Sequence, residues 1–131
     1  MKQLDWLQFD RCVGLLAERF RDQPFSGIHG VPRGGLCLGV ALSHALELPL
    51  QLQPDGDSLI VDDVYESGRT LKALRQHWPQ ATYAVWISKV PPDWWFAAEI
   101  SLSPDWLVFP WESSAQAEAD EQAYRLSRGL P

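Results

Sequence analysis

Cysteine is scarce in this chain. Cys12 and Cys37 are the only two and form no C-x-x-C pair, so both read as small core residues, as suits a reducing cytosol. Positive charge is short as well: 11 Lys and Arg stand against 17 Asp and Glu, a net charge of −6. Nucleic-acid binders usually present a basic face, so this balance argues against a nucleic-acid partner. It leaves room for a small anion, which a local nest of backbone N–H groups can hold whatever the total charge. No apolar run approaches the ~20 residues that a membrane helix needs, and no signal-peptide pattern opens the chain. His29 and His77 lack metal-ligand spacing, and neither Ser43-His44 nor any Cys–His pair suggests a nucleophile with its base. A soluble, cytoplasmic protein with no membrane partner is expected.

Apolar surface, by contrast, is plentiful. Of the 131 residues 46% are hydrophobic and seven are Trp, enough to bury a core without disulfide staples. A single domain over 1–131 is expected, with a core over about 1–90 and a Trp-rich hood and C-terminal helix over about 91–131. In residues 5–21 the apolar positions Phe9, Val13, Leu16 and Phe20 mark one amphipathic helix. A short apolar run over 26–31 leads into Pro32-Arg33-Gly34-Gly35, and the Leu- and Ala-rich stretch 36–46 predicts a helix packed on a sheet. Residues 48–52 read as a short strand and Pro54-Asp55-Gly56-Asp57 as a turn. Leu59-Ile60-Val61 is a strand, 70–78 a helix, and 82–87 a strand apolar on both faces, hence central. Alternating strands and helices predict an α/β fold, a three-layer sandwich with a mainly parallel central sheet. Residues 91–112, dense in Trp and Pro, predict an irregular cap with one or two short strands, and 115–127 a polar helix.

Ligands of parallel sheets bind at the carboxyl ends of the strands, and two segments of interest lie there. The first is Leu59-Ile60-Val61-Asp62-Asp63-Val64-Tyr65-Glu66-Ser67-Gly68-Arg69-Thr70-Leu71. A hydrophobic strand carries two adjacent carboxylates to its tip, and a loop with Ser67, Gly68 and Thr70 then opens a helix. The unpaired N–H groups and positive dipole end of that helix suit a phosphate. Paired Asp side chains can accept from neighbouring sugar hydroxyls or hold Mg²⁺ through its waters. The second segment, Gly30-Val31-Pro32-Arg33-Gly34-Gly35, also joins a strand to a helix, but is neither a P-loop nor a G-x-G-x-x-G fingerprint.

The first segment resembles the phosphoribosyl-pyrophosphate motif of type I phosphoribosyltransferases: apolar strand, two acids, three intervening residues, then Ser/Thr-Gly-x-Thr. Among these the chain is most similar to the xanthine–guanine and hypoxanthine (purine) phosphoribosyltransferases, from Asp5-Trp6 through Trp111-Glu112. The resemblance implies Glu66, Asp62 and Asp63 as the catalytic residues: Asp62 and Asp63 bind the ribose or its Mg²⁺, and Glu66 exchanges a proton with purine N7. It assigns Glu66, Ser67, Gly68, Arg69 and Thr70 to the 5-phosphate. Pyrophosphate falls to Pro32, Arg33, Gly34 and Gly35, through the N–H groups of Arg33, Gly34 and Gly35 and the Arg33 guanidinium. The peptide between Pro32 and Arg33 is expected to be strained or cis. Lys89 would donate to a purine O6, favouring a 6-oxopurine over adenine. Trp106 would stack on the base, the Leu107 backbone would meet its edge, and Glu112 would lie near its 2-position. Mg²⁺ is the implied cofactor, phosphoribosyl pyrophosphate and a purine base or nucleotide the implied ligands, and a homodimer or higher homo-oligomer the implied assembly.

One element of that pattern is missing. Family members carry a long flexible loop between the second and third strands, which closes over the site. Here only residues 51–58 separate Leu50 from the Leu59 strand. Two readings follow: transfer of a phosphoribosyl group to guanine, xanthine or hypoxanthine with release of pyrophosphate, or a weakly active or inactive nucleotide-binding regulatory module. Val108 stands where some relatives have an acid, so the choice of base is open.

Overall fold

The computed structural model describes residues 1–129. Its elements, in chain order, are β1 (Lys2–Gln3), α1 (Trp6–Phe20), β2 (Ile28–Gly30), α2 (Leu36–Leu46), β3 (Leu59–Tyr65), α3 (Arg69–His77), β4 (Thr82–Ser88), β5 (Phe96–Ile100), β6 (Leu107–Val108) and α4 (Ser114–Ser127). They divide into two compact units, Arg11–Leu102 and Met1–Asp10 with the chain from Ser103.

In the larger unit the strands form one sheet in the order β2-β3-β4-β5, every pair parallel. β4 is central, as its two apolar faces predict, and Trp86 and Ile87 within it are fully buried. One face carries Ile60, Tyr83 and Val85 against Leu71 and Leu74 of α3, with Trp78, Trp94 and Trp95 completing the cluster. Phe96 lies beside Ala84 on the other face, where Phe20 of α1 meets it edge-on at 5.3 Å and the Arg19 guanidinium sits 4.3 Å from the ring centroid. Helices thus cover both faces of the sheet. Cys12 is buried, and burial pushes its thiol up to about 12, with Glu99 adding to the effect. It is an inert core residue.

Two local readings of the sequence differ from the fold. Residues 48–52 make a single parallel bridge, Leu50 with Ile28, and no strand. The backbone is diverted because residues 51–58 close on themselves. Asp55 accepts from Ser26 Oγ (2.6 Å), from the Asp57 N–H (2.8 Å) and from Gln51 Nε2 (3.3 Å), while Ser58 Oγ donates to Gln51 Oε1 (2.5 Å). These bonds, that from Ser26 foremost, hold the Asp55 carboxyl below the usual carboxylate range. His29 joins the same corner, its Nδ1 2.9 Å from the Gln51 carbonyl. Second, two short strands do form within 91–112, as expected, but Phe96–Ile100 joins the main sheet and does not belong to an irregular cap. A parallel neighbour needs the chain to return to the far end, usually through a dozen or more residues. Here the short stretch 89–95 makes that return, with Trp94 and Trp95 packed on the α3 face in place of a helix.

In the smaller unit β1 pairs in parallel with β6. Phe9 and Trp111 meet at 5.8 Å, and Phe109 stacks on Trp111 at 5.3 Å and 10°. Ser113 caps α4 by accepting from the Gln116 N–H (3.1 Å). No helix among the described residues is long and apolar enough to cross a membrane.

Candidate functional site

β3 is buried from Leu59 to Val61 and half-buried at Asp62 and Asp63, so the hydrophobic half of the strand anchors a polar tip. Each carboxylate is oriented by the next amide: Asp62 Oδ1 accepts from the Asp63 N–H and Asp63 Oδ1 from the Val64 N–H, both at 2.8 Å. The chain then turns through Gly68, whose φ of 76° is left-handed, into α3. Glycine is the residue that takes this conformation without steric cost. Gly68, at the helix N-cap, has no side chain to cap it; the Arg69 N–H donates to Ser67 Oγ at 3.5 Å, and the end of a helix with few capped N–H groups suits an anion. Asp62, Glu66, Ser67, Gly68, Arg69 and Thr70 line one open cleft.

The second loop lies beside this tip. The Val31 N–H donates to the Val61 carbonyl (2.9 Å), tying the ends of β2 and β3 together. Gly34 packs against Asp63 so closely that a Cβ there would collide with the carboxylate, 2.7 Å from its Cγ. The peptide between Pro32 and Arg33 is cis, as the family resemblance leads one to expect. The amide cradle is narrower than the sequence implies, since the Gly35 N–H donates to the Val31 carbonyl (2.8 Å) and closes the turn. Arg33 and Gly34 supply the remaining amides, and Pro32 and Arg33 are exposed.

The acids are electrostatically unusual. Burial, and then the charge of Asp63, push the Asp62 carboxyl up to about 8, and burial raises Asp63 as well. Burial and the neighbouring like charge both favour the protonated form of the pair.

Lys89 follows β4, and its N–H donates to the Tyr65 carbonyl (2.8 Å). Lys89 and the 66–70 loop therefore leave neighbouring strand tips. Trp106, Leu107 and Glu112 belong to the smaller unit. There Trp106 packs on Tyr124 of α4 at 5.4 Å, its Nε1 buried without a hydrogen-bond partner. β1 takes the carbonyls of Trp106 and Val108, so that of Leu107 alternates to the opposite edge. Glu112 Oε1 accepts from the Phe109 N–H (2.8 Å) and helps hold the turn before α4.

A parallel sheet flanked by helices, with an acid-tipped strand and a Gly-rich loop on adjacent strand ends, is the type I phosphoribosyltransferase fold. No protein-family model matches the chain. It is 28% identical to a xanthine-guanine phosphoribosyltransferase of Nitratidesulfovibrio vulgaris, over 85% of this chain and 84% of that one. The crystal structure of a purine phosphoribosyltransferase from Pyrococcus horikoshii superposes with a TM-score of 0.72 at 30% identity, over 86% of this chain and 94% of that one. A xanthine-guanine-hypoxanthine phosphoribosyltransferase from Helicobacter pylori shares the fold at 19% identity, with a TM-score of 0.66 over 91% and 98% of the two chains. The chain belongs to the purine phosphoribosyltransferase family, enzymes of the glycosyltransferase class.

Proposed function

We propose that the protein transfers a phosphoribosyl group from phosphoribosyl pyrophosphate to a 6-oxopurine base, guanine, xanthine or hypoxanthine, releasing pyrophosphate. The observation that carries this reading is the packing of Gly34 on Asp63, which gives the two anion loops one shared edge. The amides of Arg33 and Gly34 and the Arg33 guanidinium receive the pyrophosphate. The N-terminus of α3, with Ser67, Gly68, Arg69 and Thr70, receives the 5-phosphate. Asp62 and Asp63 face the ribose hydroxyls between them. Lys89 donates to O6 of the base, and the family resemblance assigns Trp106, Leu107 and Glu112 to its face, edge and 2-position.

The donor set fits Mg²⁺. Among the described residues no three His, Cys, Asp or Glu converge on one point, whereas Asp62 and Asp63 offer adjacent hard oxygens. That ion commonly takes one or two carboxylates and completes its shell with water and substrate phosphates. When bound it would neutralise charge building on the leaving pyrophosphate. Glu66 holds or returns the proton at purine N7.

A second reading has an observation in its favour. Residues 51–58 are stapled at the amino ends of the strands, away from the acid-tipped ends, so they supply no cover for the site. A nucleotide-binding module of low activity fits that geometry. Incubation with phosphoribosyl pyrophosphate, Mg²⁺ and each purine base separates the two: nucleotide and pyrophosphate formed from a 6-oxopurine support the transferase, and nucleotide binding without product supports the module. In the active protein Glu66→Gln is expected to lower kcat by about 100-fold, the low end for general acid–base catalysis. Affinity for phosphoribosyl pyrophosphate should fall by much less. Equal loss of kcat and affinity would contradict the role given to Glu66.

A further inference from the structure

Tyr65 lies among the three residues between the paired acids and the Ser-Gly-x-Thr stretch, where the motif asks only for a spacer. Here it has a defined environment. Its ring stacks on Trp95 with centroids 3.7 Å apart and planes at 11°, and both side chains are buried. Trp94 closes the edges of both rings, at 5.9 Å and 5.0 Å. Trp95 is itself anchored: its Nε1 donates to Ser88 Oγ (3.1 Å), which donates to the Val90 carbonyl (2.5 Å). Gly68 rests on the Tyr65 phenol so tightly that a Cβ there would meet the hydroxyl and come 2.8 Å from Cε2. Tyr65 also lines the cleft with Glu66 and Thr70.

From this geometry we propose that Tyr65, held by Trp95, is the positioning residue of the phosphate loop. The inference rests on the reading of residues 66–70 as the 5-phosphate site. Gly68 has the widest backbone freedom of any residue type, yet the amides around it must converge on one anion. A flat, anchored ring beneath the glycine removes that freedom. Trp95 belongs to the short return that joins β4 to β5, so this return, unusual in having no helix, forms the floor of the site. The phenol hydroxyl need not touch the ligand for this role.

Calorimetric titration with ribose 5-phosphate, alongside pyrophosphate with Mg²⁺ as a ligand of the other loop, tests the proposal in wild type, Tyr65→Phe, Tyr65→Leu and Trp95→Leu. Tyr65→Phe keeps the stack and should bind ribose 5-phosphate within about twofold of wild type, whereas both Leu variants should weaken it about tenfold, as small misplacements of binding groups do. Pyrophosphate affinity should hold in all. In turnover the Leu variants should raise KM for phosphoribosyl pyrophosphate with kcat unchanged. If Tyr65→Phe loses as much as Tyr65→Leu, the hydroxyl is a direct ligand and the positioning role is wrong. If Trp95→Leu binds like wild type, the stack serves the core alone. If wild type itself fails to bind ribose 5-phosphate, the reading of the loop falls, and this inference with it. Should the Leu variants not fold, Trp95→Phe keeps an aromatic ring beside Tyr65 while it shrinks the stack and removes the bond to Ser88: a selective weakening of ribose 5-phosphate supports the proposal, and equal effects on both ligands, or none, overturn it.

Discussion

Gly34→Ala is expected to lower kcat/KM for phosphoribosyl pyrophosphate by about 100-fold, the scale set by misplacing a binding group by about 1 Å. The new Cβ would enter the space of the Asp63 carboxylate, and that carboxylate must swing away from the cleft. Little of the fold depends on it: Gly34 is half-buried, and Asp63 sits at a strand tip whose apolar anchor, Leu59 to Val61, is untouched. Thermal unfolding should therefore move by only a few degrees, equivalent to about 1 kcal/mol or less. A variant that loses stability and activity together would show that the contact serves the core. One that keeps full activity would show that the two loops do not act on one ligand.

Asp62→Asn should make the ligand-free protein more stable and flatten its pH profile. In the folded chain the Asp62 carboxyl holds its proton up to about 8, where an unburied aspartate releases it near 3.8. Between those values the folded state binds more protons than the unfolded state, so wild-type stability falls as pH rises through the window and levels off above it. Asn at this position carries no proton to lose, so the variant escapes that fall and its advantage is largest at the alkaline end of the window. Urea unfolding at pH 5 and pH 8, in the presence of a chelator, measures it. The difference between variant and wild type should grow from pH 5 to pH 8. A difference that shrinks, or an Asn variant less stable at pH 8, would mean that the acids are paired with something that stabilises their charge.

The parallel sheet is legible in sequence because its signals are local. Ile60 and Val61 before two acids, and Thr82–Ser88 with two apolar faces, place β3 and β4. The 36–46 stretch matches α2 residue for residue. A short strand is expected within 91–112, but the place of β5 in the main sheet is hidden: Phe96-Ala97-Ala98-Glu99-Ile100 has no clean alternation and sits among Trp and Pro, and the helix that normally announces a parallel crossover is absent. The strand expected at 48–52 fails for a different reason. The side-chain bonds of Gln51, Asp55 and Ser58 decide the backbone there, and hydropathy carries no trace of them. At the site, Asp62, Asp63 and the 66–70 turn follow from the motif. The contact of Gly34 with Asp63 does not, because it depends on neighbouring strands in register, Gly30 beside Val61. The family pattern makes Gly35 a donor to the ligand, yet the turn uses its N–H. Tyr65 looks like a spacer in sequence since its partner, Trp95, lies thirty positions along the chain, in the segment whose structure is least predictable.

The most direct measurement is a backbone amide NMR titration with phosphoribosyl pyrophosphate and Mg²⁺. The amides of Arg33 and Gly34 and those of residues 66–70 should shift together, with one common saturation curve, because one ligand bridges both loops. Shifts confined to one loop, or two curves with different midpoints, would contradict a shared phosphoribosyl pyrophosphate site.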